Sequence, residues 1–274
     1  MAQQYITCMS IAGSDPSCGA GIQADLKTFS ALGVYGTTVP TAITVQNTSG
    51  VHKSIPLPAE LVGEQLKALF EDLNPQYVKI GMTANVTIIH TISSILKEYR
   101  PSFIVLDPIM ISSSGFSLLE NDAIEALKKE LFPLCSLLTP NIPETYVLCE
   151  EKSLLNTDLG KAGQFIRETY GCQAVLIKGG HNEGHPTDIL VMEKEIHFFS
   201  EERIVTPNTH GTGCTLSSAI TAFTARNYTL PTAVKEAKSY LTRALSAGAN
   251  IHFGSGTGPM NHFFAPKSLI IEEK

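Results

Sequence analysis

The chain has 274 residues, 43% of them hydrophobic and 17% charged, with a net charge of −6 at neutral pH. That composition is ordinary for a globular α/β chain with a single core. No apolar run is long enough to span a membrane, so no membrane role is expected. The acidic balance argues against a nucleic-acid surface. The six cysteines, at 8, 18, 135, 149, 172 and 214, form no CxxC pair and no zinc-ligand spacing. Free thiols, and a start at residues 1–5 without a basic, apolar leader, predict a cytoplasmic setting.

Residues 6–12 read as a buried strand, and a loop follows from Gly13 to Gly21. A helix is predicted over 22–32, stopped by Gly33. GAGIQA at 19–24 matches the G-x-G-x-x-A dinucleotide fingerprint in the right strand–helix context. The next predicted strand, 37–45, runs into Gln46 and Asn47 and supplies no acidic residue for a ribose hydroxyl. A small-molecule pocket lined by this loop therefore ranks above the dinucleotide reading. Asp25, one turn into the helix, is either a solvated carboxylate favoured by the helix dipole or a pocket residue beside Gln46. The Gln46 carboxamide donates and accepts at once, which suits the edge of a heteroaromatic ring; the alternative is a loop glutamine in water.

Further on, a helix over 58–73, a strand over 76–80 ending in Gly81 and Met82, a helix over 85–99 and a strand over 103–106 alternate. That alternation predicts parallel strands joined by right-handed crossover helices. Asp107 falls at a strand's carboxyl end, where such sheets bind ligands; a structural aspartate tied to a backbone turn fits as well. Ser112 to Gly115 reads as a mobile loop beside it. After a strand over 135–139, Asn141 and Glu144 form a capping box with Pro143 in the first turn. Capping suffices to explain both residues, and Glu144 can also anchor a magnesium-bound water. A helix over 157–170 and a strand over 174–177 lead to Lys178, a point charge for a phosphate or a solvated strand-end lysine. Residues 189–192 and 196–199 bracket an antiparallel edge hairpin.

Strand character extends from 195 to 205, and then comes NTHGTGCTLSSA at 208–219, opening a small-residue helix. Gly211 and Gly213 let backbone approach a ligand, and unpaired first-turn amides with the helix dipole make an anion site. Cys214 at that helix start is expected to have a depressed pKa and to serve as base or nucleophile, unless it packs as a small hydrophobe. A last helix is predicted over 231–250, and the absence of repeats and linkers makes 1–274 one domain. With no P-loop, zincin or hydrolase-elbow motif, the set suits phosphoryl transfer, in which positioning and charge stabilisation do most of the catalysis.

The strings AGSDPSCGAGIQADLKTFSALGVYG, TAITVQNT, KIGM, VLDPIM, LTPNIPE, IKGGH and NTHGTGCTLSSA occur in this order. Together, down to the GTGPMNHF tail, the chain closely resembles the hydroxymethylpyrimidine/phosphomethylpyrimidine kinases of thiamine biosynthesis, in the ribokinase superfamily. The resemblance implies a three-layer α/β/α sandwich around a mostly parallel sheet, ATP and Mg2+ as cofactors, and a homodimer. By the same resemblance Gln46 reads a pyrimidine edge, with Gly13, Asp25 and Met82 completing the pocket. Asp107 and Glu144 lie near magnesium; Lys178, Asn141, Thr206 and Thr212 contact the nucleotide. Gly211, Gly213 and Cys214 form the catalytic anion hole, with Cys214 as general base. Cys18 stands where this branch usually has glycine. Pyridoxal kinases of the same superfamily share much of the pattern and are the alternative; a non-catalytic dinucleotide-binding module is a distant third.

Overall fold

The computed structural model describes residues 3–110, 119–149, 158–180 and 184–273. Its centre is an eight-stranded sheet formed by β2 (Thr7–Ala12), β3 (Tyr35–Pro40), β6 (Tyr77–Ile80), β7 (Phe103–Leu106), β8 (Leu137–Leu138), β9 (Val175–Ile177), β10 (Thr187–Val191) and β11 (Ile196–Ser200). The order across the sheet is β11-β10-β9-β8-β7-β6-β2-β3. Pairing is parallel from β9 to β3, and β10 and β11 add the antiparallel edge hairpin.

Both faces are covered, which is why the strands are apolar almost throughout rather than alternating with polar residues. Met9 and Ile11, Ile104 and Leu106, and Val175 and Ile177 face one core. Cys8, Val105, Leu137 and Leu176, on the opposite pleats, face a second core. The first core is closed by α2 (Ala59–Asp72), α3 (Val86–Tyr99), α4 (Asn121–Ala126), α5 (Ile142–Leu148) and α6 (Leu159–Tyr170). The second is closed by α1 (Gly21–Ala31), α7 (Thr212–Ala225) and α8 (Leu230–Gly248). The fold is thus the expected three-layer α/β/α sandwich.

α7 is buried over nearly its whole length because its residues are small or apolar, so α1 and α8 flank it closely. Two short strands, β1 (Gln3–Tyr5) and β12 (Ile271–Glu273), pair the two ends of the described chain.

Three stretches differ from the sequence reading. The strand expected over 37–45 breaks at Thr41, whose amide bonds Ala12 O and whose hydroxyl bonds Met82 O at 2.6 Å. Beyond the break, β4 (Ala42–Asn47) leaves the sheet and pairs with β5 (Gly50–Pro56), a strand the sequence reading did not contain. The strand character read from 195 to 205 ends at Ser200, because residues 201–209 find no strand partner. Residues 121–134, left unassigned from sequence, form α4 and then π and 3-10 turns. The loop at Ser112–Gly115 and the predicted helix start at 157 lie outside the described residues.

Candidate active site

The carboxyl ends of β2, β6, β7 and β9 and the N-terminus of α7 open on one cavity of about 650 Å³, at the edge where parallel sheets place ligands. Gly13, Gln46 and Met82 line it, and so do Gly211, Thr212, Gly213 and Cys214. Asp107, Asn141, Glu144 and Lys178 line it as well. Residues from opposite halves of the chain therefore share one space.

α7 begins at Gly211, which is left-handed (φ 80°) and has no side chain to cap the helix. An added Cβ there would sit 1.8 Å from Gly19 O, so only glycine allows the two loops to touch. The amides of Gly213 and Cys214 make no hydrogen bond within the described residues, so they remain available to an anion. Facing them, the Lys178 ammonium is bonded to Asp107 Oδ1, which also accepts from Thr139 Oγ1 at 3.2 Å. A Cβ on Gly213 would lie 3.1 Å from Asp107 Oδ2 and 3.3 Å from Lys178 Nζ. Burial opposes the Lys178 charge, but Asp107 and Glu144 hold its pKa above the usual value.

The capping box is present: Asn141 Oδ1 accepts from Glu144 N at 2.8 Å and Glu144 Oε2 accepts from Asn141 N at 2.7 Å. Burial pushes Glu144 up to about 7, against the pull of Lys178 and with the push of Asp107. Asp107 and Glu144 thus present carboxylate oxygens to one cavity, a donor set that suits magnesium, which keeps most of its waters and needs few protein ligands. Among the described residues no three ligating side chains cluster, so substrate phosphates and water would supply the remaining ligands.

The expected depressed thiol is not found. Burial pushes Cys214 up to about 11, although Lys79 draws it down. Desolvation of this buried thiol, joined by the nearby Asp25 and Asp107 charges, outweighs the pull of Lys79 and of the Gly21 amide.

Two predicted site residues lie elsewhere. Asp25 does not line the cavity beside Gln46 but is fully buried beneath it. Its carboxylate accepts from Ser10 Oγ (2.5 Å), Ser218 Oγ (2.6 Å) and Lys79 Nζ (2.8 Å), partners on β2, α7 and β6 that the sequence could not place around it. Thr206 also stands away from the cavity, its hydroxyl bonded to Ala249 O at 3.0 Å and to the Asn208 amide.

Residues the sequence reading passed over complete the site. Asp15 accepts from the amides of Gly19 (3.0 Å) and Ala20 (2.8 Å) and from His210 Nε2 at 2.8 Å. Burial works against its charge, yet His210 and Ser17 bring it down to about 2. This carboxylate occupies the amides a pyrophosphate would need in a GxGxxA loop, which removes the basis of the dinucleotide reading. Cys18 in the same loop is left-handed (φ 59°), a conformation glycine takes without strain. The signal in the sequence was the Asp-Pro-Ser turn, whose aspartate commonly bonds its own backbone.

At the other end of the cavity, the buried Lys238–Asp188 pair (2.8 Å) fixes α8 to β10, with Leu241 and Leu245 lining the wall.

A family model described as phosphomethylpyrimidine kinase matches residues 15–261. The chain belongs to the phosphomethylpyrimidine kinase family. It is an enzyme of that type. The hydroxymethylpyrimidine/phosphomethylpyrimidine kinases of Salmonella typhimurium and Escherichia coli are each 42% identical to it over 263 residues. The alignment covers 96% of the chain and 99% of the Salmonella protein. The Rhizobium meliloti kinase of the same name is 45% identical over 257 residues.

Among solved structures, the phosphomethylpyrimidine kinase of Clostridium difficile superposes with a TM-score of 0.78 at 45% identity, covering 87% of this chain and 99% of that one. An ADP complex of Bacillus subtilis pyridoxal kinase superposes with a TM-score of 0.86 at 33% identity, covering 94% and 98%. Backbone likeness is thus greater to the pyridoxal kinase and residue likeness to the pyrimidine kinase. A shared backbone can host either specificity, so the site residues carry the distinction.

Proposed function

We propose that this chain uses ATP to phosphorylate 4-amino-5-hydroxymethyl-2-methylpyrimidine and then its monophosphate, giving the diphosphate needed for thiamine biosynthesis. The observation that carries this reading is the single cavity in which Gln46, Cys214 and the free amides of Gly213 and Cys214 meet. Gln46, Gly13 and Met82 hold the pyrimidine. The hydroxymethyl oxygen attacks the γ-phosphorus of ATP while Cys214 takes its proton, and ADP leaves. In the second reaction a phosphate oxygen of the monophosphate is the attacking atom. The amides of the α7 terminus stabilise charge on the migrating phosphoryl group, where it grows in the transition state.

Lys178, Asn141 and Thr212 contact the nucleotide phosphates. Asp107 and Glu144 would hold magnesium, which when bound neutralises phosphate charge. Kinase relatives with ADP or with AMP-PCP bound support nucleotide use. Among the described residues the cysteines are free and no helix is long and apolar enough to cross a membrane.

The test is a panel of hydroxymethylpyrimidine, its monophosphate, pyridoxal and pyridoxine with ATP and magnesium, read as phosphorylated product by mass. Both pyrimidine products are expected; turnover of the B6 vitamers alone overturns the reading. In the same assay Cys214→Ala is expected to lose roughly 10²–10⁴-fold in turnover, the range of a positioned base. Near-normal turnover removes Cys214 from that role.

A further inference from the structure

We infer that Asp15 and His210 fix which way round the Gln46 carboxamide faces the substrate, and so are positioning residues for pyrimidine selection. The inference rests on Gln46 as the reader of the ring. The two ends of a carboxamide are alike in shape and opposite in chemistry, so its hydrogen-bond partners decide its orientation.

Three contacts decide it here. His210 Nε2 lies 2.8 Å from Asp15 Oδ2. Asp15 Oδ2 also accepts from the Gly19 and Ala20 amides, so it faces His210 as an acceptor and His210 carries a proton on Nε2. The terminal atom placed as Gln46 Nε2 lies 3.2 Å from that same Nε2. A donor there would face an N–H already given to Asp15, so exchanging the two ends of the amide, which puts the carbonyl oxygen on the His210 side with a minor share of that N–H, removes the clash. The atom placed as Gln46 Oε1 lies 3.3 Å from Thr44 Oγ1. The Thr44 hydroxyl already donates to Ser14 O at 2.8 Å, so the exchange lets it accept from the amide NH₂ instead of sharing one proton between two acceptors. The three contacts are together satisfied by the exchanged orientation.

The consequence for recognition is direct. Gln46 offers its second carbonyl lone pair on the His210 side and its second N–H on the Thr44 side. An aminopyrimidine edge, with an amino donor beside a ring-nitrogen acceptor, matches that order in one sense only. A pyridine ring bearing a hydroxyl and a formyl group offers a different order and leaves a polar group unmatched, which costs affinity.

The geometry also explains why the loops meet so closely. A Cβ on Gly19 would sit 2.2 Å from His210 Cδ2, so a glycine at 19 lets the imidazole reach Asp15 and Gln46 together.

The experiment has two arms. The first is the ¹⁵N spectrum of His210 in the unliganded wild-type protein. A protonated Nε2 is expected across neutral pH, and a bare Nε2 overturns the inference. The second arm compares steady-state kinetics of His210→Phe, Thr44→Val and Gln46→Ala, each checked for a wild-type-like thermal transition.

His210→Phe is expected to raise KM for hydroxymethylpyrimidine about tenfold, the ~1.4 kcal/mol of one well-made hydrogen bond. Its kcat should stay within about threefold, and its preference for pyrimidine over pyridoxal should fall in proportion to the KM rise. Thr44→Val should act in the same direction. If Gln46→Ala raises KM and His210→Phe does not, the inference fails while the reading of Gln46 stands. If Gln46→Ala leaves KM unchanged, that reading fails and takes the inference with it. A loss confined to kcat in His210→Phe also overturns it, since that assigns His210 to the chemical step.

Discussion

At the scale of single residues, the start of α7 separates two kinds of glycine. Gly211 is required by backbone geometry: its φ is 80° and a Cβ would strike the Gly19 carbonyl. Gly211→Ala is expected to lower stability by about 2 kcal/mol or more, since the left-handed penalty alone is ~1–2 kcal/mol. A thermal melt checks it. Gly213 has room but no spare room, its missing Cβ bounded by Asp107 and the flexible end of Lys178. Gly213→Ala should melt like the wild type yet lose on the order of tenfold or more in turnover, an effect of ~1.4 kcal/mol on the barrier. Equal damage to melting and turnover would contradict the assignment of these amides to the phosphoryl group.

Cys214 adds a pH signature. A base raised to about 11 is mostly protonated at neutral pH. Activity that depends on the thiolate therefore rises with pH and falls as pH drops. From pH 7 to 9, log kcat/KM is expected to climb without levelling in the wild type, and the climb should be absent in the residual activity of Cys214→Ala.

At the scale of elements, the buried Asp25–Lys79 pair joins α1 to β6, with Ser10 of β2 and Ser218 of α7 on the same carboxylate. Burial disfavours the Lys79 charge, but Asp25 more than restores it. Lys79→Met leaves a carboxylate buried without its counter-ion, so stability is expected to fall by about 3–5 kcal/mol. A urea midpoint measures this. Because the pair lies under the cavity, substrate KM should change little in whatever fraction stays folded.

The α5 cap carries the opposite sign of linkage. Glu144 sits at about 7 when folded and at 4.5 in its reference state. Its contribution to stability is full below pH 4.5 and is lost as pH rises toward 7. Relative to Glu144→Gln, the nucleotide-free wild type should lose stability between pH 5 and 8. A pH-independent difference between the two would show that the carboxyl is not perturbed.

At the scale of the whole molecule, β4 and β5 stand off the sheet with Ile43, Val45 and Ile55 exposed on one face. From this exposed apolar face we propose the homodimer that the family resemblance implies. Sedimentation at micromolar concentration is expected to give a dimer, and Ile43→Lys with Ile55→Lys a monomer. A monomeric wild type rejects the proposal.

The fold was legible because its two buried faces write themselves into apolar strands, and its crossover helices into 3.6-residue periods. The break at Thr41 and the strand β5 were not legible, because a half-exposed hairpin alternates as any surface strand does.

The sequence by itself determined the strand–helix alternation, the Asn141–Glu144 cap, the glycine-bounded start of α7 and, through its motifs, the family. Those are local properties, set by neighbours a few residues apart. Only the tertiary structure decided that Asp25 belongs to a buried pair with Lys79, that the Cys214 thiol is raised rather than lowered, and that Asp15 and His210 stand behind Gln46. Each of those depends on what lies across the sheet, 54 residues away for Lys79 and 195 for His210 from its Asp15 partner. Desolvation and partner choice are properties of the packed interior, and no run of adjacent residues contains them.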